Sequence, residues 1–412
     1  MIMYPKKLQM IFDKLITNGI KPIIVGGFVR DKILNRNSND IDIELYNILS
    51  LDFLEELLKM YGDVNRVGKS FGVIKLSYGE YQIDFTLPRT DNKVASGHKG
   101  FETFIDSNMD FRSAARRRDF TINAIGYDIK NKKILDPFNG QKDIQNRTLK
   151  AVHVKSFIED PLRVLRAAVF CSRFDFKMDN ELFNLCKDMS DKKLLLELPK
   201  ERIYAEIKKI LLQSKNPSIG FQYIKEVNAL EFLYPLNILN NKDYKALILS
   251  LDYMAKYKTE IEKDNLLLML AILSSKFDKN QTQAFISHLT NEKKLVENIL
   301  KLTQTNFKTV YTESELLFLA TKVTIHLFIL YNKAIHYTIH NSIFEKILKR
   351  ANKLGVLYQK KEPFIKGKDI IALGIKPSKE YSKILNILYN KQLKMEIKTK
   401  DEAIRYLKKL IF

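Results

Sequence analysis

The stretch Ile23 to Leu45, IIVGGFVRDKILNRNSNDIDIEL, decides how the rest of the chain is read. Ile23, Ile24 and Val25 form a short β-branched strand that stops at Gly26-Gly27. Glycine accepts positive φ and lets another group approach the backbone closely. Phe28 to Leu34 predicts a short helix, and a polar loop leads to Asp40-Ile41-Asp42-Ile43. Side chains alternate across a strand, so Asp40 and Asp42 share one face while Ile41 and Ile43 share the other. Two close carboxylates suit a divalent cation, most simply Mg²⁺, which prefers oxygen ligands and substrate phosphates. The glycine turn before them suits phosphate on its backbone N–H groups.

The chain has 412 residues, enough for two to four domains, and 45% hydrophobic residues, enough for packed cores. Lysine and arginine number 69 against 48 acids, a formal charge of +21. That excess points to a polyanionic partner, first of all a nucleic acid. Cys171 and Cys186 form no CxxC pair, so neither zinc, another structural metal nor a disulfide framework is expected. The N-terminus lacks a signal-peptide pattern and no run of 18 apolar residues occurs, so a cytoplasmic protein with no membrane partner is expected.

Leu8 to Leu15 has the spacing of an amphipathic helix, and Asp52 to Met60 predicts another. Val73 to Leu87 reads as a hairpin around Tyr78-Gly79-Glu80, with Asp84 facing away from Ile83 and Phe85. Arg89 to Ala115 is polar and glycine-containing and reads as a long mobile loop, with His98 on its surface. Arg116-Arg117-Arg118-Asp119 then precedes an apolar helix start, a basic grip suited to phosphate. Asp136-Pro137-Phe138-Asn139-Gly140 leads on, and from Lys150 helical periodicity dominates to the end. In Glu159-Asp160-Pro161-Leu162-Arg163-Val164-Leu165-Arg166, Pro161 suits a first helical turn. Asp160 and Arg163, three apart, are expected on one helical face that Arg166 continues.

The combination GGxVRD, then DxD, then RRDFTINA, DPxxGxxD and EDxxR resembles the polymerase β superfamily, and within it the bacterial class II tRNA nucleotidyltransferase and poly(A) polymerase family. The resemblance is specific over residues 20–210, where Glu201-Arg202-Ile203 resembles a bracing motif, and loose beyond, where Lys368 to Pro377 resembles a tail segment. It implies an α+β fold: an N-terminal polymerase β-like head with a mixed sheet and helices, then an all-α neck, body and tail. The boundaries expected are 1–148 for the head, 149–215 for the neck with its base-reading helix, 216–310 for the body and 311–412 for a tRNA-binding tail.

The same resemblance implies template-independent addition of C, C and A to the tRNA 3′ end from CTP and ATP, with release of pyrophosphate. Asp40 and Asp42 would hold two Mg²⁺ ions, and Asp84 would be a third catalytic acid. Gly26, Gly27, Arg30, Arg118 and Arg166 would bind nucleotide. Asp160 and Arg163 would replace a template base. A carboxylate accepts the amino proton of cytosine or adenine, and a guanidinium donates to the adjacent ring nitrogen. Uracil and guanine present the reverse order and are rejected. Relatives often carry a further arginine where this chain has Val169. The loop at residues 89–115 implies help in switching from CTP to ATP. With six histidines and no His-Asp dipeptide, a phosphohydrolase activity found in some relatives is not expected. Within the class the alternatives are a poly(A) polymerase or an enzyme adding only CC or A; outside it, a non-catalytic RNA-binding protein.

Overall fold

The structure is a computed structural model, and it describes residues 2–48, 50–67, 73–93, 101–372 and 380–411. The chain divides into two compact units, Met1–Asn237 and Ile238–Phe412.

The first unit is built on a mixed sheet. Its strands are β1 (Lys21–Val25), β2 (Asp40–Tyr46), β3 (Asp63–Val67), β4 (Val73–Tyr78) and β5 (Tyr81–Thr86), with β6 (Arg89–Lys93) and β7 (Phe101–Ile105) forming a separate antiparallel ribbon. Strands β8 (Gly126–Asp128) and β9 (Lys133–Leu135) complete the seven-stranded order β3-β4-β5-β2-β1-β8-β9. Only β2 and β5 of these neighbours run parallel; the other pairs are antiparallel. Helices α1 (Gln9–Thr17), α2 (Gly27–Ile33) and α3 (Leu51–Lys59) accompany the sheet, followed by α4 (Phe111–Ala115) and α5 (Gly140–Gln145). Ile41, Ile43, Leu45, Ile74, Leu76, Ile83 and Phe85 are buried, as are Phe12 and Leu15 of α1 and Leu54 and Leu58 of α3. Apolar residues at period two on strands and three to four on helices produce this core.

The polar segment at residues 89–115 contains ordered structure rather than only loop. Arg89 pairs with Ile105 and Thr90 with Phe104, and the ribbon continues to Lys93 opposite Phe101. The β-branched and aromatic run Phe101 to Ile105 favours a strand, and the polar residues around it concealed that signal. His98 lies outside the described residues. The helix expected after Arg118 is a single 3₁₀ turn, Thr121–Asn123.

A two-residue bridge joins β10 (Thr148–Leu149) to β11 (Lys177–Met178). Around it pack α6 (Val154–Glu159), α7 (Leu162–Phe174), α8 (Asn180–Asp191), α9 (Lys200–Gln213) and α10 (Pro217–Glu226). Cys171 and Cys186 are buried free thiols, pushed up in pKa by that burial. Pro217 opens α10, which lies on α7. A Cβ at Gly220 would stand 3.0 to 3.2 Å from Ile210, Ser172 and Ala168, so the first unit extends to Asn237. Val169 is buried in this helical packing.

The second unit is helical among its described residues, from Asn241–Ala255 to Lys400–Ile411. In the helix Glu262–Leu273 every residue from Asn265 onward is buried, so it is the central element of this unit. A separate cluster of Ile365, Ile370, Leu388, Ile397, Ala403 and Leu407 closes the C-terminal part. Residues 373–379 of the expected tail segment lie outside the described residues. Among the described residues no single helix is long and apolar enough to cross a membrane.

Candidate active site

Strand β2 carries an acidic face. Alternation puts Asp40, Asp42, Glu44 and Tyr46 on one side and Ile41, Ile43 and Leu45 in the core. The parallel register sets Asp84 of β5 beside Asp42, so the two side chains share that side. Lys75, opposite Asp84 on β4, donates its Nζ to Asp84 Oδ2 at 2.6 Å. The Asp42 carboxyl is raised to about 6, first by burial and also by Asp40 and Asp84, against the lowering effect of Arg118 and Lys75. The carboxylates thus repel one another, and Arg118 and Lys75 only partly offset burial at Asp42. An all-oxygen donor set of this kind fits Mg²⁺. Among the described residues no three acidic, histidine or cysteine side chains converge as a closed metal cage. Asp40 and Asp42 by themselves offer two carboxylates on one strand face, so a cation held there would need further oxygens.

The glycine turn forms the next wall. Gly26 has φ +70°, and a Cβ there would stand 2.8 Å from Arg118 Nη1. The backbone angle favours glycine, and an added Cβ would push aside the guanidinium lying over it. The Gly26 N–H is occupied by the Ile125 carbonyl at 3.1 Å. Arg118 Nη1 reaches the Asn123 carbonyl at 3.4 Å, its Nη2 lies 3.6 Å from Glu44, and its Nε is buried without a partner. The turn Thr121–Asn123 is held from behind by the Asp136 to Gly140 segment. Gly140 packs so closely that a Cβ would meet the Thr121 carbonyl oxygen at 2.3 Å. Buried Asp143 accepts from Thr121 Oγ1 at 2.7 Å.

Gly26, Gly27, Arg30, Asp42, Arg117, Arg118, Asp119, Asn123, Asp160, Leu162, Arg163, Arg166, Phe170 and Arg202 line one cleft of about 400 Å³. Of the nucleotide-site residues expected from sequence, all seven meet here, together with Asp42; Asp40 is two residues before it on β2 and Asp84 is its register partner on β5. Arg30 is buried and braced. Its Nε donates to Asp31 at 2.8 Å, its Nη1 to Asn123 Oδ1 at 2.5 Å, and its guanidinium lies 4.7 Å from the Phe174 ring centroid.

Asp160 departs from the expected arrangement. It precedes α7 in an extended conformation instead of sharing a helical face with Arg163. Pro161 occupies the helix N-cap, and Asp160 Oδ1 accepts from the Leu162 N–H at 3.2 Å. Its Oδ2 accepts from Arg202 of α9 at 3.0 Å. Arg163 donates Nη1 to the Ser156 carbonyl and Nη2 to the Arg117 carbonyl, both at 2.7 Å. Both residues still face the cleft, through these contacts and not through helical periodicity.

Asp119 was not singled out in the sequence, yet it joins the two walls. Arg166 donates Nε and Nη2 to its Oδ2 at 2.8 and 2.5 Å, and Asn123 Nδ2 donates to its Oδ1 at 2.9 Å. Burial alone would raise the carboxyl, but Arg166, Asn123 and Arg163 outweigh it and hold Asp119 at about 2. Glu44 was also missed, although continuing the alternation from Asp40 and Asp42 reaches it. Phe170 and Asn123 gave no sequence signal beyond their motif neighbourhood.

Residues 23–150 match the family described as "Poly A polymerase head domain". Residues 175–237 match "Probable RNA and SrmB-binding site of polymerase A". A CCA-adding enzyme of Buchnera aphidicola subsp. Cinara cedri is 38% identical over 229 residues, 55% of this chain and 53% of the relative. A multifunctional CCA protein of Pseudoalteromonas atlantica is 37% identical over 211 residues, 50% of this chain and 49% of the relative. The chain spans about half the length of these curated relatives. The crystal structure of the Bacillus stearothermophilus CCA-adding enzyme in complex with CTP has the same fold, with TM-score 0.75, 20% identity and 98% of both chains covered. Residues 23–150 are thus similar to poly(A) polymerase head domains, residues 175–237 to the RNA-binding segment of the same polymerases, and the chain shares its fold with a CCA-adding enzyme.

Proposed function

We propose that this protein adds C, C and A to the 3′ end of tRNA without a template, using CTP and ATP and releasing pyrophosphate. The observation that carries the reading is the single cleft joining the Asp42 edge of the acidic strand to Arg118, Asp160, Arg163 and Arg166. Its curated relatives named CCA-adding enzymes support the tRNA end as substrate.

Asp40 and Asp42 would hold Mg²⁺, which when bound lowers the pKa of an attacking hydroxyl and neutralises phosphate charge. The protein's own groups do the rest. Arg118 presents a buried, unpartnered Nε toward phosphate. Asp84, held by Lys75, keeps a third carboxylate beside Asp42. Asp160 accepts the amino proton of cytosine or adenine and Arg163 donates to the ring nitrogen beside it. For this, Arg202 and the two backbone carbonyls must yield or share their bonds. Arg166, fixed by Asp119, supports the same wall. We assign residues 1–148 to the catalytic head, 149–215 to the neck, 216–310 to the body and 311–412 to the tRNA-binding tail.

A second reading, a poly(A) polymerase, is favoured by the family description of the head. The test uses purified protein with Mg²⁺, tRNA transcripts lacking the terminal CCA, and each nucleotide alone or combined. The expected product is three added nucleotides in the order C, C, A. Long A tails, or efficient use of an unstructured RNA, would establish the second reading, and no incorporation would refute both.

A further inference from the structure

Glu44 is fully buried, at 0% exposure, on the same strand face as Asp40 and Asp42. A buried carboxylate is costly unless paired and hydrogen-bonded. Here its Oε2 accepts the Tyr46 hydroxyl at 2.8 Å. Its Oε1 faces Arg117 Nη2 at 3.4 Å and Arg118 Nη2 at 3.6 Å. One carboxylate oxygen is therefore shared between two guanidiniums, while the phenol steers the other oxygen. Burial and Glu44 both keep the Tyr46 phenol protonated, so it donates.

Three features give this group a role beyond packing. One buried carboxylate oxygen holds both guanidiniums, so a change at Glu44 moves Arg117 and Arg118 together. Arg118 also has a buried Nε with no hydrogen-bond partner, in a cleft it shares with Asp42. Finally, Glu44 stands two residues from Asp42 and four from Asp40 on one strand, where each two-residue step advances about 6.6 Å. The strand thus sets the spacing between the anchor of the arginines and the acidic pair.

We propose that Glu44 is a positioning residue for the phosphates of the incoming nucleotide, holding Arg117 and Arg118 at a set distance from Asp40 and Asp42. The proposal rests on the nucleotidyltransferase reading above. Glu44 acts through the two arginines and touches neither base nor ribose. An ion pair serving only the fold would affect stability and leave phosphate recognition in the folded protein unchanged.

The test compares the full-length wild type with Glu44→Gln. Folding is checked by circular dichroism, and pyrophosphate affinity is measured by calorimetry in EDTA. CTP incorporation is then measured with Mg²⁺, for Glu44→Gln, Arg118→Ala and the double variant. Folded Glu44→Gln should bind pyrophosphate about tenfold more weakly, and its kcat/KM for CTP should fall about tenfold or more. On the Arg118→Ala background the same change should cost less than about threefold, because the two residues act as one unit. If Glu44→Gln does not fold, Tyr46→Phe keeps the charge and removes only the steering hydroxyl, with a two- to fivefold loss of about the same pattern expected. Equal pyrophosphate affinity in wild type and variant, undetectable binding in both included, or fully additive kinetic losses, would overturn the proposal. A wild type that binds pyrophosphate but incorporates no nucleotide would refute the reaction and leave the Glu44 assignment to the binding measurement.

Discussion

Replacing Asp42 by asparagine should stabilise the metal-free protein while abolishing nucleotide transfer. The Asp42 carboxyl is raised from 3.8 to about 6, first by burial and then by Asp40 and Asp84. A raised acid favours the protonated form in the folded state. Its contribution to stability is therefore fully present below pH 3.8 and is lost as pH rises through about 6. A difference of about two units corresponds to a ceiling of about 3 kcal/mol. Relaxation and solvent around a half-buried group reduce this to roughly 1–2 kcal/mol at neutral pH. Asparagine carries no charge and escapes that penalty. Urea unfolding in EDTA should place the first transition of Asp42→Asn above the wild type at pH 8, with about half of the gain gone by pH 5. Added Mg²⁺ should raise the wild-type midpoint and leave the variant almost unmoved. Transfer should fall by several orders of magnitude, because the variant would lose one of the two carboxylates proposed to hold the metal. A variant less stable than wild type at pH 8, or a gain independent of pH, would refute the picture of mutually repelling carboxylates awaiting a cation.

Gly26→Ala should lower incorporation about ten- to a hundredfold by displacing Arg118, since the added methyl meets Nη1 at a backbone angle alanine rarely adopts; an incorporation assay with wild-type turnover would contradict the close packing. Asp119→Ala should cost about 2 kcal/mol in denaturant unfolding, because it removes the carboxylate that accepts two bonds from half-buried Arg166. The depressed Asp119 carboxyl stabilises the fold above pH 3.8 and loses that contribution as pH falls through about 2, so the cost should shrink in strong acid. Asp160→Ala should weaken discrimination of CTP and ATP against UTP and GTP by about tenfold or more, read as ratios of kcat/KM with each nucleotide. Unchanged ratios would place base reading elsewhere in the cleft.

Local chemistry made the first half of this molecule legible. Ile23 to Val25, the Gly26-Gly27 turn and the alternation from Asp40 to Ile43 report neighbours within a few positions, and strand periodicity is enough to put Asp40 and Asp42 on one face. The same rule reaches Glu44, but nothing local reveals that two arginines from beyond residue 115 will meet it. The ribbon at Arg89 was hidden because polar composition outweighed the short strand signal at Phe101 to Ile105. Asp84 joins the acidic pair through the parallel register of β2 and β5, a pairing decided by sheet topology. Likewise Asp160 finds Arg202 and Asp119 finds Arg166 only after the helices pack. The amino-acid order by itself determined the family motifs, the residue types of the site and the face on which the first two aspartates stand. Tertiary structure decided which charges neutralise one another, because a buried carboxylate takes whichever cation the packing brings within reach, whatever their separation along the chain.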